Sequence, residues 1–178
     1  MTDAHETIEY IAVGTGDDAR DIAILSRQAL STHEAPTLVW LGGYRSDMSG
    51  TKAVELDRFA AENDLGCIRF DYSGHGASKG DFAKGTISRW LEEAIAVISH
   101  KSPQNVVLVG SSMGAWIALR LAQRLPGRVC SLLLLAPAPD FTTRLVEPRL
   151  TAEDRAALAR DGFIAEPSPY SDQPTIYT

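Results

Sequence analysis

Val109-Gly110-Ser111-Ser112-Met113-Gly114-Ala115-Trp116 is the stretch on which the fold turns. It fits G-x-S-x-G with Ser112 at the centre, a pattern common by chance, but its surroundings are specific. An apolar run from Asn105 to Val109 enters it as a buried strand. Met113 to Leu125, apolar nearly all round, leaves it as a buried helix. Strand, sharp turn and helix are what a nucleophile elbow requires, because the turn must lift one side chain clear of both elements. Small residues beside the serine suit a tight turn with a neighbouring chain passing close. The helix N-terminus beneath Ser112 favours negative charge developing there. A glycine-rich turn with an unreactive serine is the plainer alternative.

Outward from this turn the chain alternates strand and helix. Thr7 to Val13 and Asp21 to Ser26 read as strands of a hairpin around Gly14-Thr15-Gly16-Asp17-Asp18. Thr37 to Leu41 is a strand stopped by Gly42-Gly43. Thr51 to Asp64 is helical, with Val54, Leu56, Phe59 and Ala60 on one side and Gly66 closing it. Cys67 to Tyr72 is the next strand. Behind Thr86 as N-cap, Ile87, Trp90, Leu91, Ala94, Ile95 and Ile98 keep helical spacing. Val129 to Leu135 is a further strand. Continuous apolar strands separated by helices predict an α/β fold: a mostly parallel sheet, an N-terminal antiparallel hairpin, and helices on both faces. Trp40, Trp90 and Trp116 fall on core positions and read as packing.

After Pro137-Ala138-Pro139 the character changes. Thr151 to Arg160 is a polar helix with a capping-box start, its charges a solvated face. The rest reads as loop, with no further strand before Thr178. Residues 1–140 therefore form the core, and 141–178 begin a cap or inserted segment.

Composition narrows the function. The chain has 178 residues, 44% hydrophobic, and 17 Lys and Arg against 23 Asp and Glu give a net charge of −6. A single globular domain follows, without the basic face that a general nucleic-acid binder needs. The longest charge-free apolar stretch around the late strand, Val129 to Pro139, falls short of the ~20 residues a membrane helix takes. The polar, acidic start Met1-Thr2-Asp3-Ala4-His5-Glu6 has no targeting pattern, so a cytoplasmic location is expected. Cys67 and Cys130 lie in apolar runs and read as buried free thiols. Scattered Cys and His offer no metal-ligand spacing. Gly74-His75-Gly76-Ala77-Ser78-Lys79-Gly80 stands too far from the helix at Thr86 to cradle a dinucleotide. Neither metal nor organic cofactor is expected.

Acyl transfer also needs amide donors aimed at the oxyanion. One is the Met113 N–H, just after the serine. The other belongs to the loop Gly42-Gly43-Tyr44-Arg45-Ser46, where two glycines let the backbone turn under a substrate and point to the Tyr44 N–H. A plain glycine turn is the alternative.

Strand then Gly42-Gly43-Tyr44, Phe70-Asp71-Tyr72-Ser73-Gly74-His75-Gly76-Ala77-Ser78 and Val109 to Trp116 together resemble the α/β-hydrolase fold. Met48-Ser49-Gly50-Thr51-Lys52-Ala53 and Cys67-Ile68-Arg69 bring the resemblance closest to the family of the mitochondrial palmitoyl-protein thioesterase, also described as an acyl-glucuronide esterase. It covers residues 36 to 136 well and the last forty weakly. The resemblance implies a serine esterase or thioesterase acting on a small-molecule acyl ester or thioester. Ser112 attacks the acyl carbonyl, a histidine takes its proton, and water frees the acyl-enzyme.

The sequence departs from the pattern after the serine. The fold's triad runs Ser, acid, His along the chain, yet His5, His33, His75 and His100 all precede Ser112. Asp140, Asp154, Asp161 and Asp172 follow it, none at the end of a recognisable late strand, and none is nominated as the acid. His75 lies at the same sheet edge as Ser112, but its glycine neighbours predict a turn or loop-packing role, which is also what the resembling family implies. His5, His33 and His100 read as surface residues. Without later strands, Ser131-Leu132-Leu133-Leu134-Leu135 would be a long apolar edge, which natural sheets avoid. The expectation is the first two-thirds of a hydrolase core, its last strands missing and its acid and base beyond Thr178; a partner covering that edge is the alternative. A hydrolase-like binding module without catalysis is the other reading.

Overall fold

The computed structural model describes residues 7–31, 35–101, 103–167 and 174–178. His5, His33 and Asp172 lie outside the described residues. β1 (Glu9–Val13) and β2 (Arg20–Arg27) form the antiparallel hairpin. β3 (Thr37–Leu41), β4 (Cys67–Phe70), β5 (Val106–Ser111) and β6 (Val129–Leu135) are parallel to one another, and β2 joins them antiparallel through β4. The described sheet has six strands in the order β1-β2-β4-β3-β5-β6. Its crossovers are α1 (Thr51–Glu62), α2 (Ile87–Lys101) and α3 (Met113–Arg124).

Strand alternation divides the side chains between two faces. Leu38, Trp40, Cys67 and Val109 pack on α1, while Val39, Leu41, Ile68, Phe70 and Leu108 pack on α2 and α3. Helices cover both faces, as the pattern predicts. On α2 the buried stripe is Trp90, Leu91, Ala94, Val97 and Ile98, with the Thr86 hydroxyl accepting from the Arg89 N–H at 3.1 Å.

Five expectations are corrected. Helix α1 buries Ala53, Asp57 and Ala60, while Val54 and Phe59 are 42% and 50% exposed. Small residues let the helix lie close on β3 and β4, and Asp57 is drawn inward by Arg27 at 2.9 Å and Arg69 at 3.5 Å. The helix is closed by Asp64 at φ 52°, not by Gly66. Gly66 answers a different need, since a Cβ there would stand 2.8 Å from Thr37 Oγ1.

Cys67 is buried as expected, but Cys130 is exposed. The β5–β6 register steps from Val106↔Val129 to Val107↔Ser131, so Cys130 is the extra residue of a bulge on the edge strand, its Sγ on the Val106 carbonyl at 3.1 Å. Trp40 and Trp90 are buried, whereas Trp116 is only partly so. β6 is the edge of the described sheet and leaves Leu133 52% exposed.

The last correction concerns the tail. α4 (Ala152–Asp161) begins with the expected capping box between Thr151 and Asp154 and ends at Gly162 with φ 80°. Where loop is expected, β7 (Ile164–Glu166) and β8 (Thr175–Tyr177) pair antiparallel. Strands of three residues are too short to show a period of two.

Candidate active site

Ser112 stands between the last residue of β5 and the first residue of α3, with φ 53° and ψ −113°. L-residues rarely hold that conformation, and it persists only where the surroundings fix it. The fixing contacts are visible. Ser112 donates its N–H to the Leu135 carbonyl at 2.9 Å, and its own carbonyl accepts from the Ala115 and Trp116 N–H groups at 3.1 and 3.3 Å. The side chain is exposed. Those bonds begin the helix, so the Met113 and Gly114 amides have no acceptor within it. Both glycines of the motif are steric necessities. A Cβ on Gly110 would lie 2.6 Å from the Gly114 carbonyl oxygen, and one on Gly114 would lie 2.0 Å from that of Leu41.

The loop after β3 runs beside the serine: a Cβ built on Gly43 would stand 3.6 Å from that of Ser112. Gly43 to Ser46 is a turn closed by the Ser46 N–H on the Gly43 carbonyl at 3.0 Å, and Arg45 holds φ 56° within it. The third residue of a turn with positive φ is normally Gly or Asn. Here β4 and the loop after it hold the strained turn from outside. The Arg45 N–H donates to His75 Nε2 at 3.2 Å. Asp71 accepts the Met48 N–H at 2.7 Å, and Arg69 donates to the Met48 carbonyl at 3.0 Å. Burial pushes the Asp71 carboxyl above its usual range, and the amides of Ala77 and Met48 oppose the shift. The Met48-to-Ala53 and Cys67-to-Arg69 motifs thus meet as one clamp on the turn that carries Tyr44.

The alpha/beta hydrolase family profile matches residues 38–177. This chain belongs to that family. It is 33% identical over 140 residues to the mitochondrial palmitoyl-protein thioesterase ABHD10 of Homo sapiens, covering 79% of this chain and 45% of that protein. The chain thus spans about half the length of the curated relatives it matches. Among solved structures, a protein of Agrobacterium vitis S4 superposes with TM-score 0.90 at 55% identity, over 97% of this chain and 68% of that one. Mouse ABHD10 superposes with TM-score 0.76 at 26% identity, over 96% of this chain and 66% of that one. The thioesterase relatives are named as mitochondrial, so the comparison lends no support to a cytoplasmic location. No helix among the described residues is long and apolar enough to cross a membrane.

Within this hydrolase-family site the titratable residues sort by their partners. His75 is buried, with Nδ1 3.2 Å from the Ser73 carbonyl and Nε2 accepting from Arg45. That pairing requires the neutral ring protonated on Nδ1 and leaves no lone pair for a serine proton. His100 is a surface residue 2.5 Å from Glu9 Oε1. Asp154 caps α4, Asp161 pairs with Arg160 at 2.6 Å, and Asp140 lies 3.6 Å from Arg144. Each has a local partner. Among the described residues no group of His, Cys, Asp and Glu side chains is placed to hold a metal ion. Sequence reasoning missed the supporting residues Arg45, Asp71 and Arg69, whose signal lay only in the quoted motifs.

His75 gives a pH prediction. Burial, with the Arg45 charge adding to it, lowers its pKa below the ordinary 6.5. The rings of Tyr72, Phe82 and Trp90 pack against the imidazole. The unfolded chain then binds a proton before the folded one does, so this contribution is complete above 6.5 and is lost as pH falls from there toward the lowered value. Urea midpoints measured from about pH 8 to about pH 5 should fall for the parent more steeply than for His75→Phe. Parallel profiles would remove the neutral imidazole from this account.

Proposed function

We propose that this chain carries the nucleophile and oxyanion hole of a serine esterase or thioesterase. The observation that carries the reading is Ser112, exposed at φ 53° and ψ −113° on the N-terminus of α3. The Ser112 hydroxyl adds to the carbonyl carbon of an acyl ester or thioester. The Met113 and Tyr44 N–H groups take the negative oxygen of the tetrahedral intermediate. The alcohol or thiol leaves with a proton, and water then adds to the acyl-enzyme and releases the acid, returning the hydroxyl to Ser112. Relatives described as a palmitoyl-protein thioesterase and as a pimeloyl-[acyl-carrier protein] methyl ester esterase support both kinds of acyl bond.

No described histidine serves Ser112 as base, since His100 lies on Glu9 at the surface. His75 is committed to the turn, and no histidine follows Ser112. The acid and base belong to a longer protein, in which residues 1–140 are core and 141–178 open a cap. The polypeptide of 178 residues alone should turn over short acyl esters poorly or not at all.

Intact mass of the protein from its native source, taken after a fluorophosphonate probe, tests both statements. The expected species is well above 19.3 kDa and carries one adduct, at Ser112. An unmodified species of 19.3 kDa would overturn the reading in favour of a hydrolase-like binding module.

A further inference from the structure

The described tail returns to the turn beside Ser112. The Tyr44 hydroxyl accepts from the Ile176 N–H at 2.8 Å and lies 3.2 Å from the Ile176 carbonyl, to which it donates. The Arg45 guanidinium donates to the Pro174 carbonyl at 2.8 Å. Thr178 Oγ1 donates to the Gly85 carbonyl at 3.1 Å. Pro174 and Ile176 are alternate residues, so their main-chain groups fall along one edge of β8. Ile176 stands opposite Ala165 in the hairpin, between the pairs Ile164↔Tyr177 and Glu166↔Thr175. Both of its main-chain groups are taken by Tyr44, which occupies the open edge as a neighbouring strand would.

The two loop residues reach β8 from a shared support. The Tyr44 ring meets Phe82 edge-on at 4.9 Å, and the Arg45 guanidinium lies 4.5 Å from the centre of the same ring. The hairpin is braced behind by Arg149, which pairs with Glu166 at 2.7 Å. A turn with a residue at φ 56° needs external restraint to keep its peptide planes aimed. His75 restrains it from below through the Arg45 N–H, and β8 restrains it through the two side chains.

We propose that the Tyr44 hydroxyl and the Arg45 guanidinium latch the β7–β8 hairpin to this turn, so that the Tyr44 side chain is a positioning residue for its own main-chain amide. The role rests on the reading of that amide as an oxyanion donor. Hairpin docking and aim of the amide are then one setting. A hairpin displaced by a bulky acyl or leaving group releases the turn, and a docked hairpin holds it.

Hydrogen exchange and nitrogen-15 spectra of the full chain test this without any turnover. Tyr44→Phe removes only the hydroxyl, keeping the amide and the ring against Phe82. The Ile176 amide should exchange about tenfold faster or more, while Leu108 and Val109 in β5 keep their rates. The Arg45 amide and the His75 Nε2 resonances should shift as well. Thr178→Ala removes a tie that does not touch the turn, and should leave those two resonances in place. Unchanged Ile176 exchange in Tyr44→Phe overturns the latch. Faster exchange with unmoved Arg45 and His75 resonances overturns the positioning role. If Tyr44→Phe does not fold, Arg45→Gln is read by the same Ile176 exchange. Fluorophosphonate labelling of Ser112 reads the hydrolase proposal separately, so either can fail without the other.

Discussion

Gly114→Ala is expected to lose more than about 4 kcal/mol of stability, the range reached only when a substitution meets a structure that cannot yield. The added Cβ would lie 2.0 Å from the Leu41 carbonyl oxygen and 2.5 Å from that of Gly42. Those are main-chain atoms at the end of β3, in the interior of the sheet, and no rotamer change moves them aside. Relief requires α3 to back away from β3 or the Gly42-Gly43 exit to shift. Either motion disturbs the Ser112 turn, because Gly43 lies against Ser111 and Ser112. For a chain of this length each kcal/mol lowers Tm by roughly 2–4 °C, so a fall of about 10 °C or a lost transition is expected. Gly127 supplies the control. A Cβ there meets nothing within 4 Å and its φ lies outside the left-handed range, so Gly127→Ala should be neutral or stabilise by up to ~1 kcal/mol. Calorimetry of the two variants decides. A Gly114→Ala Tm within about 3 °C of the parent would mean that the helix and β3 are not locked together at this glycine.

That lock is also why the fold could be read from sequence. The glycines at Gly110 and Gly114, the apolar run into Ser112 and the helical spacing from Ile87 to Ile98 each answer a local demand, and local demands leave local patterns. The strained serine, the parallel sheet and the covering helices followed from them. Unreadable features depend on partners distant in sequence. Asp57 faces inward on α1 because Arg27 and Arg69 meet it there, which no periodicity of α1 reveals. Cys130 is exposed on an edge strand, at the point where the β5–β6 register slips by one residue. β8 exists as a strand through Ala165 and its neighbours on one side and Tyr44 on the other. At the candidate site the turn at Ser112 was legible from its motif, whereas the supports of the Tyr44 turn come from β4 and its following loop and from the tail. His75 shows the difference clearly. Its Gly-His-Gly setting predicted a loop role, but only the Arg45 N–H on Nε2 identifies which loop it holds.

The second large effect lies at Glu93, a carboxylate with no solvent exposure in the middle of α2, where the apolar stripe gave no hint of it. Glu93 Oε1 accepts from Arg20 Nε at 2.6 Å, and Oε2 accepts from the Ser73 N–H at 2.9 Å. The Arg20 side chain is itself 1% exposed and also meets Glu92 and Asp18, both more than half exposed. Glu93→Ala removes the one buried counter-charge, strands a guanidinium in the core and leaves the Ser73 N–H without its acceptor. Breaking a buried pair from one side destabilises by about 3–5 kcal/mol. Removing both charges avoids the stranded cation, so Arg20→Met with Glu93→Leu should be more stable than Glu93→Ala alone. The damage from the single change should also travel. Ser73 offers its carbonyl to His75 Nδ1, and His75 Nε2 holds the Arg45 amide, so Glu93 stands at the base of the series that supports the Tyr44 turn. Urea unfolding of the parent, Glu93→Ala and the double variant separates the terms. A single-variant loss under about 1 kcal/mol would show that Glu92 and Asp18 suffice for Arg20. A double variant no better than the single one would place the loss in the Ser73 hydrogen bond instead. The buried carboxylate would then matter as a support of the turn beside Ser112 more than as half of an ion pair.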